Sequence, residues 1–115
     1  MYNFIDVQTD IDPNRLEPFD EERCNKVRQL KDHHNIHLGL HTLSGVNVAE
    51  FSPFCRDAVD QYLKAYIDLA VKLDAGWTVV HGGYHFTNCR SLRMRTSIER
   101  LSRIADYAQS KGILL

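Results

Sequence analysis

The chain is poor in the residues that mark special classes of protein. Its 115 residues include only three cysteines, Cys24, Cys55 and Cys89. They are far apart and form no CxxC pair, which argues against a disulfide framework or a zinc knuckle and predicts reduced thiols, mostly in the core. No apolar run approaches the roughly 20 residues needed to span a bilayer. The opening MYNFIDVQTD has no basic stretch followed by an apolar one, so a soluble, unexported, cytoplasmic protein without a membrane partner is expected. Neither sign of charge dominates: 14 Lys and Arg stand against 15 Asp and Glu, a formal net charge of −1. Bulk electrostatics therefore supply no drive toward nucleic acid. There is no internal repeat, low-complexity tract or Gly/Ser/Pro linker, so residues 1–115 are expected to form a single domain. GxSxG, P-loop and HExxH motifs are absent.

What is present is an ordinary globular mixture, 43% hydrophobic and 25% charged, arranged in a rhythm. YNFIDVQ (Tyr2 to Gln8) alternates apolar and polar residues and predicts a short strand. Asp20 then reads as an N-cap with Glu21 and Glu22 in the first turn, and Cys24, Val27, Leu30 and His34 share a helical face before Asn35 ends it. IHLGLHT (Ile36 to Thr42) predicts a second strand. Ser52 as N-cap and Pro53 at the first position open a second helix, with Val59, Tyr62, Tyr66, Leu69, Ala70 and Leu73 on one face and Gly76 ending it. WTVVH (Trp77 to His81) predicts a third strand, with Trp77 to Val80 buried. A last helix is expected to turn Met94, Ile98, Leu101, Ala105 and Ala108 inward and to stop at Lys111 and Gly112. Ile113, Leu114 and Leu115 look like the opening of a fourth strand.

Strands separated by helices imply parallel strands joined by right-handed crossovers, hence an α/β fold. In such folds ligands collect at the C-terminal ends of the strands. His41 stands at the exit of the second strand and His81 at the exit of the third, at one depth on adjacent strands. Such a pair can share a divalent metal or a substrate hydroxyl, and His85 can fold back over the same mouth. Gly82 and Gly83 fit either a close approach or a tight turn. His33, His34 and His37 lie at the opposite end of the strands, where they complement a helix dipole. Arg90, Arg93, Arg95 and Arg100 read as a solvated helix face, with Arg90 or Ser91 near enough to the helix start to meet a phosphate. Asp6 and Glu50 have no identifiable partner for acid/base work.

HLGLHTLSGVNVAEF, RDAVDQYLKAYIDLAVKLDAGWTVVHGGYH and SIERLSRIADYAQSKGILL, in that order, resemble the xylose isomerase-like TIM barrel superfamily. Its members include sugar phosphate isomerases and epimerases and apurinic/apyrimidinic endonucleases of the endonuclease IV type. The resemblance covers nearly the whole chain and is closest in DLAVKLDAGWTVVHGG. It implies a partial (β/α)8 barrel, roughly strands 2 to 5 with the intervening helices. It also implies a divalent metal (Mn, Mg, Co or Zn) held by Glu, Asp, His and Glu from the fifth to eighth strands. Those four positions are absent from this chain, so a fragment that binds no metal alone and is inactive alone is expected. The implied substrate is a sugar or sugar phosphate, contacted by His41, His81 and His85. In the endonuclease branch His41 and His81 correspond to zinc ligands, and His85 matches a histidine that often follows the fourth-strand motif; Gly82 replaces the usual proline. The neutral charge favours sugar over duplex DNA. A third possibility is a non-catalytic barrel fragment that self-associates through exposed strand edges.

Overall fold

The computed structural model describes residues 3–9, 12–84 and 88–115. Three strands, β1 (Phe4–Gln8), β2 (His37–His41) and β3 (Trp77–Val79), alternate with three helices, α1 (Glu21–His33), α2 (Arg56–Lys72) and α3 (Arg90–Ser110). The sheet has the order β1-β2-β3 and is wholly parallel. The carboxy-terminal apolar residues begin a fourth strand: Leu114 forms a parallel bridge with Trp77, and Thr78 N–H donates to the Leu114 carbonyl at 2.8 Å.

Each helix closes by the same device, which returns the chain to the start of the next strand. Asn35, Asp74 and Gly112 take positive φ values of 52°, 53° and 76°. The next residue's N–H then reaches back five positions, from Ile36 to Lys31, Ala75 to Ala70 and Ile113 to Ala108, as in a Schellman closure. The second helix differs from expectation here. Asp74, not Gly76, takes the left-handed turn, and Gly76 already pairs through its N–H with the Leu38 carbonyl at 2.8 Å.

Helix starts divide similarly. Asp20 caps α1, its carboxylate accepting from Arg23 N–H at 2.8 Å. Ser52 and Pro53 do not open α2. The Ser52 carbonyl accepts from Cys55 and Arg56 N–H groups in a preceding turn, and the helix begins at Arg56 with Cys55 at the cap position.

One face of the sheet is covered and the other is open. Leu38 and Leu40 of β2 point into a core built with Leu63, Tyr66, Ile67 and Ala70 of α2 and Ile104 and Ala108 of α3. The opposite face carries Phe4, Asp6 and Gln8 of β1 beside His37, Gly39 and His41 of β2. This one-sided cover gives a radius of gyration of 15.1 Å, against about 13 Å for a closed domain of this length. Cys24 is core, whereas Cys55 and Cys89 are exposed, contrary to the expectation for the thiols. On α1, Cys24 is buried and Leu30 is exposed.

The apolar stripe of α3 is only partly where the spacing placed it: Ala108 is buried and Leu101 packs on the core, but Ala105 is exposed. Ser97, Arg100, Ile104 and Ala108 face inward, while Met94 is 41% and Ile98 is 66% exposed. The inner stripe carries polar groups because it meets loop carbonyls as well as α2.

Tyr66 ties this core to the strand ends. Its buried hydroxyl donates to the Thr9 carbonyl at 3.0 Å. Tyr66→Phe leaves that carbonyl without its donor, and an unfolding free energy lower by about 1–2 kcal/mol is expected. Urea titration of the two proteins checks this; a difference under about 0.3 kcal/mol contradicts it.

Candidate functional site

The strand exits are fixed by two threonines. Thr9, just after β1, donates both its N–H (3.0 Å) and its hydroxyl (2.5 Å) to the carbonyl of His41. Thr42, just after β2, does the same to the carbonyl of Val79, at 3.0 Å from each group. Both threonines are buried, so the backbone from which His41 projects is held on two sides. Neither residue stood out in the sequence; the repeated placement of Thr behind a strand end was the available signal.

On this base His41 and His81 meet. Their Nε2 atoms are 3.1 Å apart and their ring centroids 5.1 Å apart. At that distance one neutral imidazole donates and the other accepts, and two imidazolium rings would repel. The same geometry suits a shared cation: with bonds of about 2.0–2.1 Å, nitrogens this close subtend roughly 100° at the ion. The pair supplies two ligands. Among the described residues no group of three or more His, Cys, Asp or Glu comes together. His85 lies outside the described residues.

His81 itself belongs to no strand; β3 ends at Val79, and the HGGY turn is held from two sides. The Gly82 carbonyl accepts from the Ser97 hydroxyl of α3 at 2.7 Å. Asn47, in the loop after β2, accepts at its Oδ1 from Ala49 N–H (3.1 Å) and from Tyr84 N–H (3.0 Å), while the Tyr84 hydroxyl donates to the Ser44 carbonyl at 3.3 Å. The two glycines have different duties. Gly83 has φ 88°, and a Cβ there would lie 2.8 Å from Ala49 N and 2.9 Å from Asn47 Oδ1; at Gly82 nothing lies within 4 Å. Gly83 is thus the close-approach residue that docks the β3 exit on the β2 exit.

The β2–α2 loop is anchored from below by Arg100. This residue is 1% exposed. It pairs with Asp60 at 2.5 Å and donates to the carbonyls of Glu50 (2.9 Å), Arg56 (3.1 Å) and Val48. Arg103 adds a second contact to Asp60 at 3.0 Å. Burial pushes the Asp60 carboxyl up, but hydrogen bonds from Arg100 and Arg103 and their charges outweigh it, so its pKa lies below the ordinary value. The expectation of a solvated arginine face is therefore wrong for Arg100, because the loop carbonyls need a buried donor. Arg93 lies over the Phe51 ring at 4.9 Å, while Arg90 and Arg95 are exposed.

The open face below the histidines is also organised. Asp6, Gly39 and Trp77 stand in one row across the three strands. Trp77 is only partly buried, in contrast to the expected buried strand, because its indole lies on the uncovered face. Its Nε1–H donates to Asp6 Oδ1 at 2.5 Å, which gives Asp6 a partner that the sequence did not show. Glu50 also has one, accepting from Ser52 N–H at 2.7 Å. At the far end His37 stacks on Phe4 at 4.9 Å, and His33 meets His34 edge to face, away from His41. A cleft of about 510 Å³ between α2 and α3 touches neither mouth histidine, and Asp60, Arg100 and Arg103 in its wall are paired with one another.

Comparison with known proteins bears on this architecture. A family model described as "Xylose isomerase-like TIM barrel" matches residues 2–115. No curated protein matches the chain. Among solved structures, a D-tagatose 3-epimerase-like protein is 22% identical with a TM-score of 0.81, over 98% of this chain and 42% of that one. A D-psicose 3-epimerase determined in the presence of D-fructose is 16% identical with a TM-score of 0.77, over 96% of this chain and 40% of that one. A D-psicose 3-epimerase with D-tagatose, from Clostridium cellulolyticum H10, is 14% identical with a TM-score of 0.78, over 96% and 40%. The chain thus spans about two-fifths of the length of these structures, and its open sheet has the architecture of part of a TIM barrel.

Proposed function

This chain belongs to the xylose isomerase-like TIM barrel family, and we propose that it forms part of the sugar-binding mouth of an isomerase or epimerase. The reaction is proton transfer at the carbon next to the carbonyl of a sugar or sugar phosphate. The observation that carries this reading is the His41–His81 pair, two ring nitrogens 3.1 Å apart at adjacent strand exits. Solved structures of the same fold that are named as epimerases, one in the presence of D-fructose and one with D-tagatose, support a ketohexose as the first substrate to try.

A divalent metal, when bound, polarises the sugar carbonyl and so acidifies the neighbouring C–H. In this chain His41 and His81 are the residues whose geometry fits contact with such an ion. Their other role is to orient the substrate. With the Nε2–H of one ring given to the Nε2 of the other, the first ring keeps Nδ1 as an acceptor and the second keeps Nδ1–H as a donor, so the pair accepts from one hydroxyl and donates to another. The threonine ties at His41 and the Asn47 tie beyond His81 hold these groups in place without help from the ligand.

His81→Ala, made in the protein that carries this chain, is expected to lower kcat/KM for D-fructose epimerisation by roughly 10- to 100-fold, the loss of one or two oriented contacts in the transition state. Unchanged turnover and unchanged metal content together sink the reading. The geometry also favours a second one, a zinc-dependent endonuclease acting at abasic sites with His41 and His81 as ligands, since the pair suits one tetrahedral ion. Incision of an abasic oligonucleotide, with no epimerase activity, would select it.

A further inference from the structure

We propose that Trp77 is the floor of the ligand site, a flat platform against which the carbon skeleton of the sugar rests while His41 and His81 hold its hydroxyls; this rests on the sugar reading above. Two observations place it there. The pairing of Gly39 with both Asp6 and Trp77 puts the three residues in one row. His41 lies two residues further along β2 in the direction of the mouth, hence roughly 6.6 Å higher on the same face. Trp77 therefore lies in the row next below the histidines.

The indole is seated, not loose. A Cβ on Gly39 would lie 2.0, 2.1 and 2.6 Å from Trp77 Nε1, Cε2 and Cδ1. All three are atoms of the pyrrole ring, so the ring lies flat over the bare backbone of Gly39, and its far face is turned away from the sheet. The Nε1–H is engaged by Asp6 at 2.5 Å, which fixes the ring about its long axis. Phe4 lies beside it at 6.1 Å between centroids. This explains why β2 carries glycine at its centre, where a strand otherwise loses stability: any side chain at position 39 would occupy the place of the indole. The chemistry fits a sugar, which presents an apolar C–H face and a polar hydroxyl rim. The indole supplies a broad apolar surface with little conformational freedom to lose, and the imidazoles above supply donors and acceptors.

Trp77 is the single tryptophan of the chain, so its fluorescence reports on this residue alone. Without ligand, Gly39→Ala is expected to displace the indole and shift its emission to longer wavelength. Asp6→Ala, which removes only the hydrogen-bond acceptor and introduces no clash, is expected to shift it in the same direction by less. Emission unchanged in both folded variants overturns the seated floor. Titration of the protein that carries this chain with D-fructose is expected to change saturably the emission that its Trp77→Leu variant lacks, and to move the imidazole resonances of His41 and His81 over the same concentration range. Trp77→Leu is expected to weaken that binding, read from the imidazole resonances, by roughly 2- to 12-fold. Imidazole resonances that move while Trp77 emission stays constant leave the sugar reading standing and overturn the floor. If neither signal moves, both are overturned.

Discussion

Replacing Arg100 by leucine is expected to destabilise the fold by about 3–5 kcal/mol, the cost of removing one member of a buried ion pair. The side chain removed is almost wholly buried and holds Asp60 together with the carbonyls of Val48, Glu50 and Arg56. Leucine fills part of the space and satisfies none of them. Arg103→Leu is the internal control. Its side chain is 55% exposed and shares only Asp60, so a change below about 1 kcal/mol is expected. Urea titration measures both, and comparable losses from the two variants contradict the assignment of Arg100 as the anchor. The pH dependence has a definite sign. The Asp60 pKa is lower in the folded chain than its ordinary 3.8, so the unfolded state binds the proton more readily. The stabilising contribution is complete above the unfolded value and is lost as pH falls from there through the folded value. The acid limb of the stability curve below about pH 4 should therefore flatten in Arg100→Leu, where the hydrogen bond that lowers the Asp60 pKa most is gone.

Gly83→Ala is expected to cost about 1–3 kcal/mol and to pull His81 away from His41. The residue combines a φ of 88° with a would-be Cβ 2.8 Å from a backbone nitrogen of the neighbouring loop, so the substitution adds backbone strain to a clash that no side-chain rotation relieves. The paired experiment is Gly82→Ala. Open space surrounds that position and its φ is not positive, so the change is expected to be neutral or to stabilise by up to about 1 kcal/mol through the unfolded chain. Thermal melts give the stabilities, and the imidazole nitrogen resonances show whether the histidines still share a hydrogen bond. The assignment fails if Gly83→Ala keeps both the stability and the shared bond. Asn47→Ala should reproduce part of the Gly83 effect, because it removes the acceptor for Tyr84 and Ala49 N–H groups without adding bulk.

How much of this could be read from the chain alone follows from the range of the interactions involved. Strand and helix order, the Asp20 cap and the endings at Asn35 and Gly112 depend on residues within about five positions of one another, and local spacing records such contacts. The pairing of His41 with His81 was legible for a related reason. In parallel α/β units every strand exit faces the same end, so two strand-end histidines must approach each other. The resemblance across the chain extended this to the barrel, which the three-stranded parallel sheet and the incipient fourth strand bear out.

The tertiary structure alone decided what each residue does once it is there. Arg100 reads as solvated by type and is buried, because it donates to the carbonyls of Val48 and Glu50 in the loop after β2 and of Arg56 at the start of α2. Met94 and Ile98 read as core and are exposed, because the helix is rotated to bring Ser97 and Arg100 to that loop. Trp77 reads as a buried strand residue, yet lies on the open face, and only the empty position at Gly39 shows why it can lie flat there. Ser52 and Gly76 have the composition of helix ends, but a turn and a strand pairing claim them first. Periodicity tells which residues share a face. Which neighbour covers that face, and which polar groups must be satisfied across it, depends on contacts 32 to 71 residues apart in the chain, and no local pattern records those.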